Sequence, residues 1–126
     1  MSSVGIDFKF NEQTLKEIKN LPDKVIYEIA RKTLDMTQIH IPKSAIPNHA
    51  GTLRKTTMAN GVRGQKGDWY LSSTTNYASR VWNYDDKKTN WTTDGTHSKW
   101  FEWALKEYKT EIVNSSIEKS RKESKL

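Results

Sequence analysis

Pro47 and Gly51 stand four residues apart in the segment Ile46-Pro47-Asn48-His49-Ala50-Gly51-Thr52-Leu53-Arg54, and together they dictate a corner. Proline lacks a backbone N–H and fixes φ, so it ends the regular structure before it. Glycine adopts left-handed backbone angles that a side chain resists. Upstream, Val25, Ile26, Ile29, Ala30, Leu34 and Met36 recur at near-helical spacing. That stripe predicts one long helix over residues 21–39, roughly 30 Å long at about 1.5 Å per residue. Downstream, the residues from Thr52 to Met58 are rich in β-branched side chains, which predicts a strand. The segment is therefore expected to turn a helix into a sheet, with Pro47, Gly51, Leu53 and Arg54 as its structural corner.

The rest of the chain fills in around that corner. Val4, Ile6, Phe8 and Phe10 alternate with Gly5, Asp7 and Lys9, the period of a half-buried strand. Asn11 is placed to cap a short helix that carries Leu15 and Ile18 on one side. Asn60-Gly61 and the segment from Gly64 to Asp68 are turn signals. Residues 69–75 and 77–84 read as two further strands, the latter with Ala78, Trp82 and Tyr84 on one face and Tyr77 and Val81 on the other. The polar stretch 85–97 reads as a loop. Phe101, Ala104, Leu105, Tyr108, Ile112 and Ile117 form the apolar stripe of a last helix starting near Ser98. The charged end, residues 118–126, is expected to fray. The order predicts an α+β fold in one domain over residues 1–126: an antiparallel sheet of about four strands, with a long helix and a C-terminal helix packed on it.

Composition limits what such a domain does. Only 34% of the residues are apolar, so the core is small for 126 residues. Yet 5 Trp and 5 Tyr are too many for a disordered chain, and part of this aromatic surface is expected to be buried against a partner. Lys and Arg exceed Asp and Glu by 21 to 15, a net charge of +6 that suits an acidic partner such as nucleic acid. The absence of cysteine excludes disulfides, thiolate nucleophiles and cysteine metal sites. No secretory signal and no membrane span are visible.

Chemistry is harder to find. His40, His49 and His97 lack metal-ligand spacing and read as solvent-facing or capping residues. No nucleophile elbow is present, and Gly61, Gly64 and Gly67 precede no helix that would complete a phosphate cradle. Asp85 and Asp86 beside Lys87 and Lys88 read as a solvated loop. No catalytic residue, metal ligand or cofactor site is assigned. Trp82 and Trp100 are expected in the core. Trp91, Tyr84 and Trp103 are the candidate interface anchors, since Trp and Tyr are enriched in such roles. Arg63, Lys66, Lys87 and Lys88 are the candidate contacts to DNA or to an acidic partner. The ending Ser124-Lys125-Leu126 matches a peroxisomal address, a short match within a Lys- and Ser-rich tail.

Taken in order, these segments resemble the minor capsid, or neck and tail-completion, proteins of long-tailed bacteriophages. Members of that group have an N-terminal strand, a short Leu-rich helix, a long helix and a P-x-x-x-G-x-L-R motif, matched here by Pro47, Gly51, Leu53 and Arg54. A strand meander ending in Tyr-Ala follows, matched by Tyr77-Ala78. Next comes a helix headed by an aromatic cluster, matched by Lys99-Trp100-Phe101-Glu102-Trp103-Ala104. The resemblance spans almost the whole chain. One departure stands out: the Glu-Tyr-Gly-Thr-like turn of many relatives is replaced by the segment from Arg80 to Asp86 and a long polar loop.

The resemblance implies a structural role. Such proteins are ring subunits of the virion neck, joining head to tail around the DNA channel and assembled in the bacterial host cytoplasm. The implied partners are copies of the same chain, adjoining neck, head-completion and tail-terminator or tail-tube proteins, and DNA passing through without sequence recognition. Two rivals use the same residues otherwise. A small nucleic-acid-binding module or toxin-like RNase would use the cations and rings. A carbohydrate-binding module would use an exposed Trp91.

Overall fold

In the computed structural model, residues 5–10, 21–41, 51–75, 78–84 and 95–124 are described. The expected short helix at Leu15 and Ile18, Pro47, and the loop stretch 85–94 lie outside them. Strand β1, Ile6–Phe10, keeps the alternation seen in the sequence: Asp7 and Lys9 are exposed while Phe10 is buried. Helix α1, Asp23–Thr37, follows the apolar stripe, burying Val25, Ile29, Ala30 and Leu34. Pro22 stands just ahead of its first turn and Asp23 within it, where a fixed φ and a negative charge both suit a helix start. A 3₁₀ turn, Gln38–His40, extends α1 to Ile41.

Past Gly51 the expectation of a strand fails. Residues Thr52–Asn60 form helix α2. Their threonines carry strand propensity, but the Thr56 hydroxyl donates to the Thr52 carbonyl at 2.8 Å within the helix. Leu53 and Thr57, one turn apart, are its buried residues. Packing of that face outweighs a preference of under about 1 kcal/mol per residue. The corner therefore joins helix to helix, and α2 carries the link to the sheet.

Among the described residues the sheet has three antiparallel strands, against about four expected, in the order β1-β3-β2, with β2 at Arg63–Gln65 and β3 at Asp68–Ser73. The expected strand over 77–84 is also helical where it is described: Ala78–Trp82 forms the short helix α3. Ala78, Val81 and Trp82 are spaced i, i+3, i+4, which fits a helix as well as it fits alternation. Asn83 completes the turn, its side-chain amide donating to the Ser79 carbonyl at 2.8 Å.

The C-terminal helix is two helices, α4 at Trp100–Glu107 and α5 at Lys109–Ser124, so helix continues into the charged segment expected to fray. Tyr108, at φ −108° and ψ 17°, makes the joint. Its N–H still bonds the Ala104 carbonyl and its carbonyl still accepts from Ile112, so the ladder bends without parting.

The core lies between the sheet and α1, α4 and α5. In the ladder, Phe8 opposes Leu71 and Phe10 opposes Trp69, so these side chains share one face. Trp100 and Phe101 are fully buried beneath that face. Trp82 is half-buried and meets Trp100 edge-on, with ring centroids 4.9 Å apart. Ser73 accepts from the Trp100 indole N–H at 3.1 Å and shares a hydrogen bond with the Thr57 hydroxyl at 2.7 Å. One hydroxyl thereby joins α2, β3 and α4. No described helix is long and apolar enough to cross a membrane.

Candidate functional site

Three groupings of side chains are candidates, and the corner is the first. Gly51 has φ +81° and caps α2, the left-handed conformation its sequence position predicts. Leu53 is buried. Arg54 reaches back to the end of the 3₁₀ turn: Nη2 donates to the carbonyls of Ile41 at 2.9 Å and Ile39 at 3.1 Å, and Nε donates to Ile41 at 3.2 Å. A helix end leaves such carbonyls unpaired, and its partial negative charge favours a cation. Burial lowers the Arg54 guanidinium from its ordinary pKa, yet arginine stays charged across the physiological range. The grouping fixes the angle between α1 and α2, and holds Ile39 at the surface, 64% exposed.

The second grouping surrounds His40, which sequence reasoning read as solvent-facing or capping. His40 is buried. Its Nδ1 lies 2.6 Å from the Gly95 carbonyl, which only accepts, so Nδ1 carries the proton. In the neutral ring, Nε2 then accepts from the Tyr108 hydroxyl at 3.1 Å. The His40 carbonyl accepts from the His97 N–H at 2.9 Å. Trp103 is half-buried between the two imidazoles, stacked on His97 with centroids 4.0 Å apart and tilted against His40 at 4.3 Å. These contacts pin the end of α1, the 95–98 segment and the α4–α5 joint together. Both His40 nitrogens are engaged in that work. Among the described residues, no three His, Asp or Glu side chains converge as a metal would require.

The third grouping is the β2–β3 hairpin, whose residues from Arg63 to Asp68 are all exposed. Asp23 clips it to α1, with Oδ1 accepting from the Gly67 N–H at 2.7 Å and from the Trp69 indole N–H at 3.1 Å. Trp69 also meets Tyr27 edge-on at 4.9 Å. Gly64 is required: at φ +105°, a Cβ there would lie 2.1 Å from the Asp68 carbonyl oxygen. The hairpin is thus a fixed projection carrying Arg63 and Lys66.

Against protein-family models, curated proteins and solved structures, the chain gives no match. The functional reading therefore rests on the residues themselves.

The structure brings Gly51, Leu53 and Arg54 together and sets Arg63 and Lys66 on one hairpin, away from them in sequence. Tyr84 is 40% exposed just past α3. Trp103 is occupied largely by contacts within the chain. Trp91, Lys87, Lys88 and Pro47 lie outside the described residues. The described tryptophans are buried or half-buried, so Ile39 and Tyr84 are the large exposed apolar groups among the described residues. Sequence reasoning missed the His40 grouping and the Asp23 clip, because both join residues more than 40 positions apart.

Proposed function

We propose that this chain is a structural virion protein of a long-tailed bacteriophage, a neck subunit that assembles into a ring joining head to tail around the DNA channel. The observation that carries the reading is the order of the segments: strand, long helix, the Pro47–Gly51–Leu53–Arg54 corner, strands, and the aromatic-headed C-terminal helix. The corner geometry supports it. Gly51 and Arg54 build a rigid elbow from α1 to α2, and a ring subunit needs a fixed angle between the surfaces it offers to its two neighbours. Contacts of that head-to-tail kind close into a ring when the rotation per subunit divides the circle.

Ile39 and Tyr84 supply the exposed apolar groups for such contacts, with Trp91 as a further anchor. Partners of this subunit are copies of itself, the adjoining head-completion, neck and tail-terminator or tail-tube proteins, and DNA in transit. Its work is positional, with no bond made or broken, and it is carried out in the virion after assembly in the host cytoplasm.

The test is a paired substitution, Ile39→Glu with Tyr84→Glu. Circular dichroism should show the fold retained while self-association and binding to neck partners are lost, as read by sedimentation velocity. Unchanged association would remove these two residues from the interface. Immunogold labelling of intact virions should place the chain at the head–tail junction; label elsewhere or none would overturn the reading.

A further inference from the structure

The outer face of the sheet carries a row of side chains that the neck reading leaves unused. In the ladder, Tyr70 of β3 pairs with Lys9 of β1 on one side and with Arg63 of β2 on the other. Directly paired residues project to the same face, so the row is cation, phenol, cation. Lys9 and Arg63 are exposed and Tyr70 is half-buried. Two strand spacings separate the Cα atoms of Lys9 and Arg63, about 10 Å. Lys66, also exposed, stands at the tip of the same hairpin, which the Asp23 clip holds in place.

The flanking rows by register hold exposed Asp7 opposite Ser72, which is buried against Asn60 of α2, and exposed Asp68 opposite exposed Gln65. The two carboxylates bracket the basic row and confine attraction for an anion to a narrow strip. A strip of that form fits a linear polyanion better than a broad acidic surface. Arg and Lys take phosphate oxygens, and a tyrosine hydroxyl donates to the same groups.

We propose that this face binds the sugar–phosphate backbone of nucleic acid, with Lys9, Arg63 and Lys66 as phosphate contacts and Tyr70 between them. The proposal rests on the neck reading only in taking DNA as a partner, and it assigns the surface that faces the DNA. Such binding reads no sequence and depends steeply on salt, because each neutralised phosphate releases condensed counterions.

The experiment uses the full chain and fluorescence anisotropy, with a labelled duplex and a single strand of equal length, titrated from about 50 to 200 mM salt, where each phosphate contact on duplex DNA contributes a slope of about 0.9. The triple variant Lys9→Gln/Arg63→Gln/Lys66→Gln should flatten the duplex slope of log K against log salt by about 2 to 3. A control, Lys55→Gln/Arg80→Gln/Lys106→Gln, removes the same charge from exposed positions elsewhere and should flatten it by much less. Equal flattening in both triples, or no binding by the native chain at low salt, would overturn the proposal. Circular dichroism of each variant separates lost binding from lost fold.

Tyr70→Phe and Tyr70→Ala distinguish the two kinds of strand. If a base stacks on the ring, Tyr70→Ala weakens single-strand binding by about 5- to 150-fold and Tyr70→Phe does not. If the hydroxyl serves a phosphate, both variants weaken both ligands. No effect from either would remove Tyr70 from the surface and contradict the proposal as stated. A chain that forms rings but fails the matched-triple comparison would overturn this inference alone. A permanent monomer with the predicted slopes would leave it standing and overturn the neck reading.

Discussion

Arg54 and Ile41 are joined by two hydrogen bonds, Nη2 at 2.9 Å and Nε at 3.2 Å from one carbonyl oxygen, across the elbow between α1 and α2. The pair ties the end of α1 to the first turn of α2. It also explains why an arginine follows the buried Leu53: only a planar fork reaches two backbone carbonyls, Ile41 and Ile39, from one side chain.

Arg54→Gln should therefore cost about 1.5 to 3 kcal/mol, the range for hydrogen bonds from a charged donor. Arg54→Lys should recover only part of it, because an ammonium lacks the fork. Urea denaturation of the three proteins checks both figures. Equal stability of Lys and Arg at this position would show that charge alone, without geometry, caps the helix end.

Gly51 tests the other half of the elbow. A Cβ added there meets no atom within 4 Å, so the cost of a side chain is backbone strain at φ +81°. Gly51→Ala should destabilise by about 1 to 2 kcal/mol, Gly51→Val by more, and Gly51→Asn least. A Gly51→Val chain with native stability would contradict the corner argument outright.

Ser73 is a small residue with a large expected effect. Its hydroxyl serves both the Trp100 indole and the Thr57 hydroxyl in a fully buried place. Ser73→Ala strands two polar groups, and each unsatisfied group costs about 1 to 3 kcal/mol. Thermal denaturation of Ser73→Ala should show a loss exceeding that of Thr57→Ala, where the Ser73–Trp100 bond survives. Equal losses would mean the trio does not act as one connection.

One substitution should stabilise. Lys99 caps α4 at φ 49°, a left-handed conformation that costs a residue with a Cβ roughly 1 to 2 kcal/mol. Its side chain is exposed, so little is lost with it. Lys99→Gly should raise the melting temperature, with a net gain of about 1 kcal/mol after the added unfolded-state entropy of glycine. A lower melting temperature would show that the lysine side chain itself supports the cap.

Periodicity made part of this fold legible. Strand β1 alternates in the sequence as it does in the sheet, and the stripe from Val25 to Met36 marks α1. Periodicity failed where two patterns coincide. In α3, Ala78, Val81 and Trp82 satisfy a helix as readily as a strand. In α2, three threonines signalled a strand, but the Thr56 hydroxyl bonds the Thr52 carbonyl, the Thr57 hydroxyl meets Ser73 and Leu53 has a core to fill. Long-range pairs left no local trace. Nothing near His40 announces that Gly95 and Tyr108 will meet its ring, and Asp23 looks like an ordinary first-turn acid until the hairpin folds onto it. Of the candidate site, the left-handed Gly51 was readable from its residue type, whereas the helix after it and the Arg54 bonds to Ile39 and Ile41 were not. The basic row on the sheet was not, since it exists only through the register of the strands.

The account stands on assembly, and assembly is measurable. Purified chain, alone and mixed with the head-completion and tail-tube proteins that the proposed neck role requires, should be weighed by light scattering and imaged by electron microscopy. The prediction is a closed ring whose mass is an integral multiple of 14.6 kDa plus its partners. A monomer in every mixture, with no particle at the head–tail junction, would contradict it.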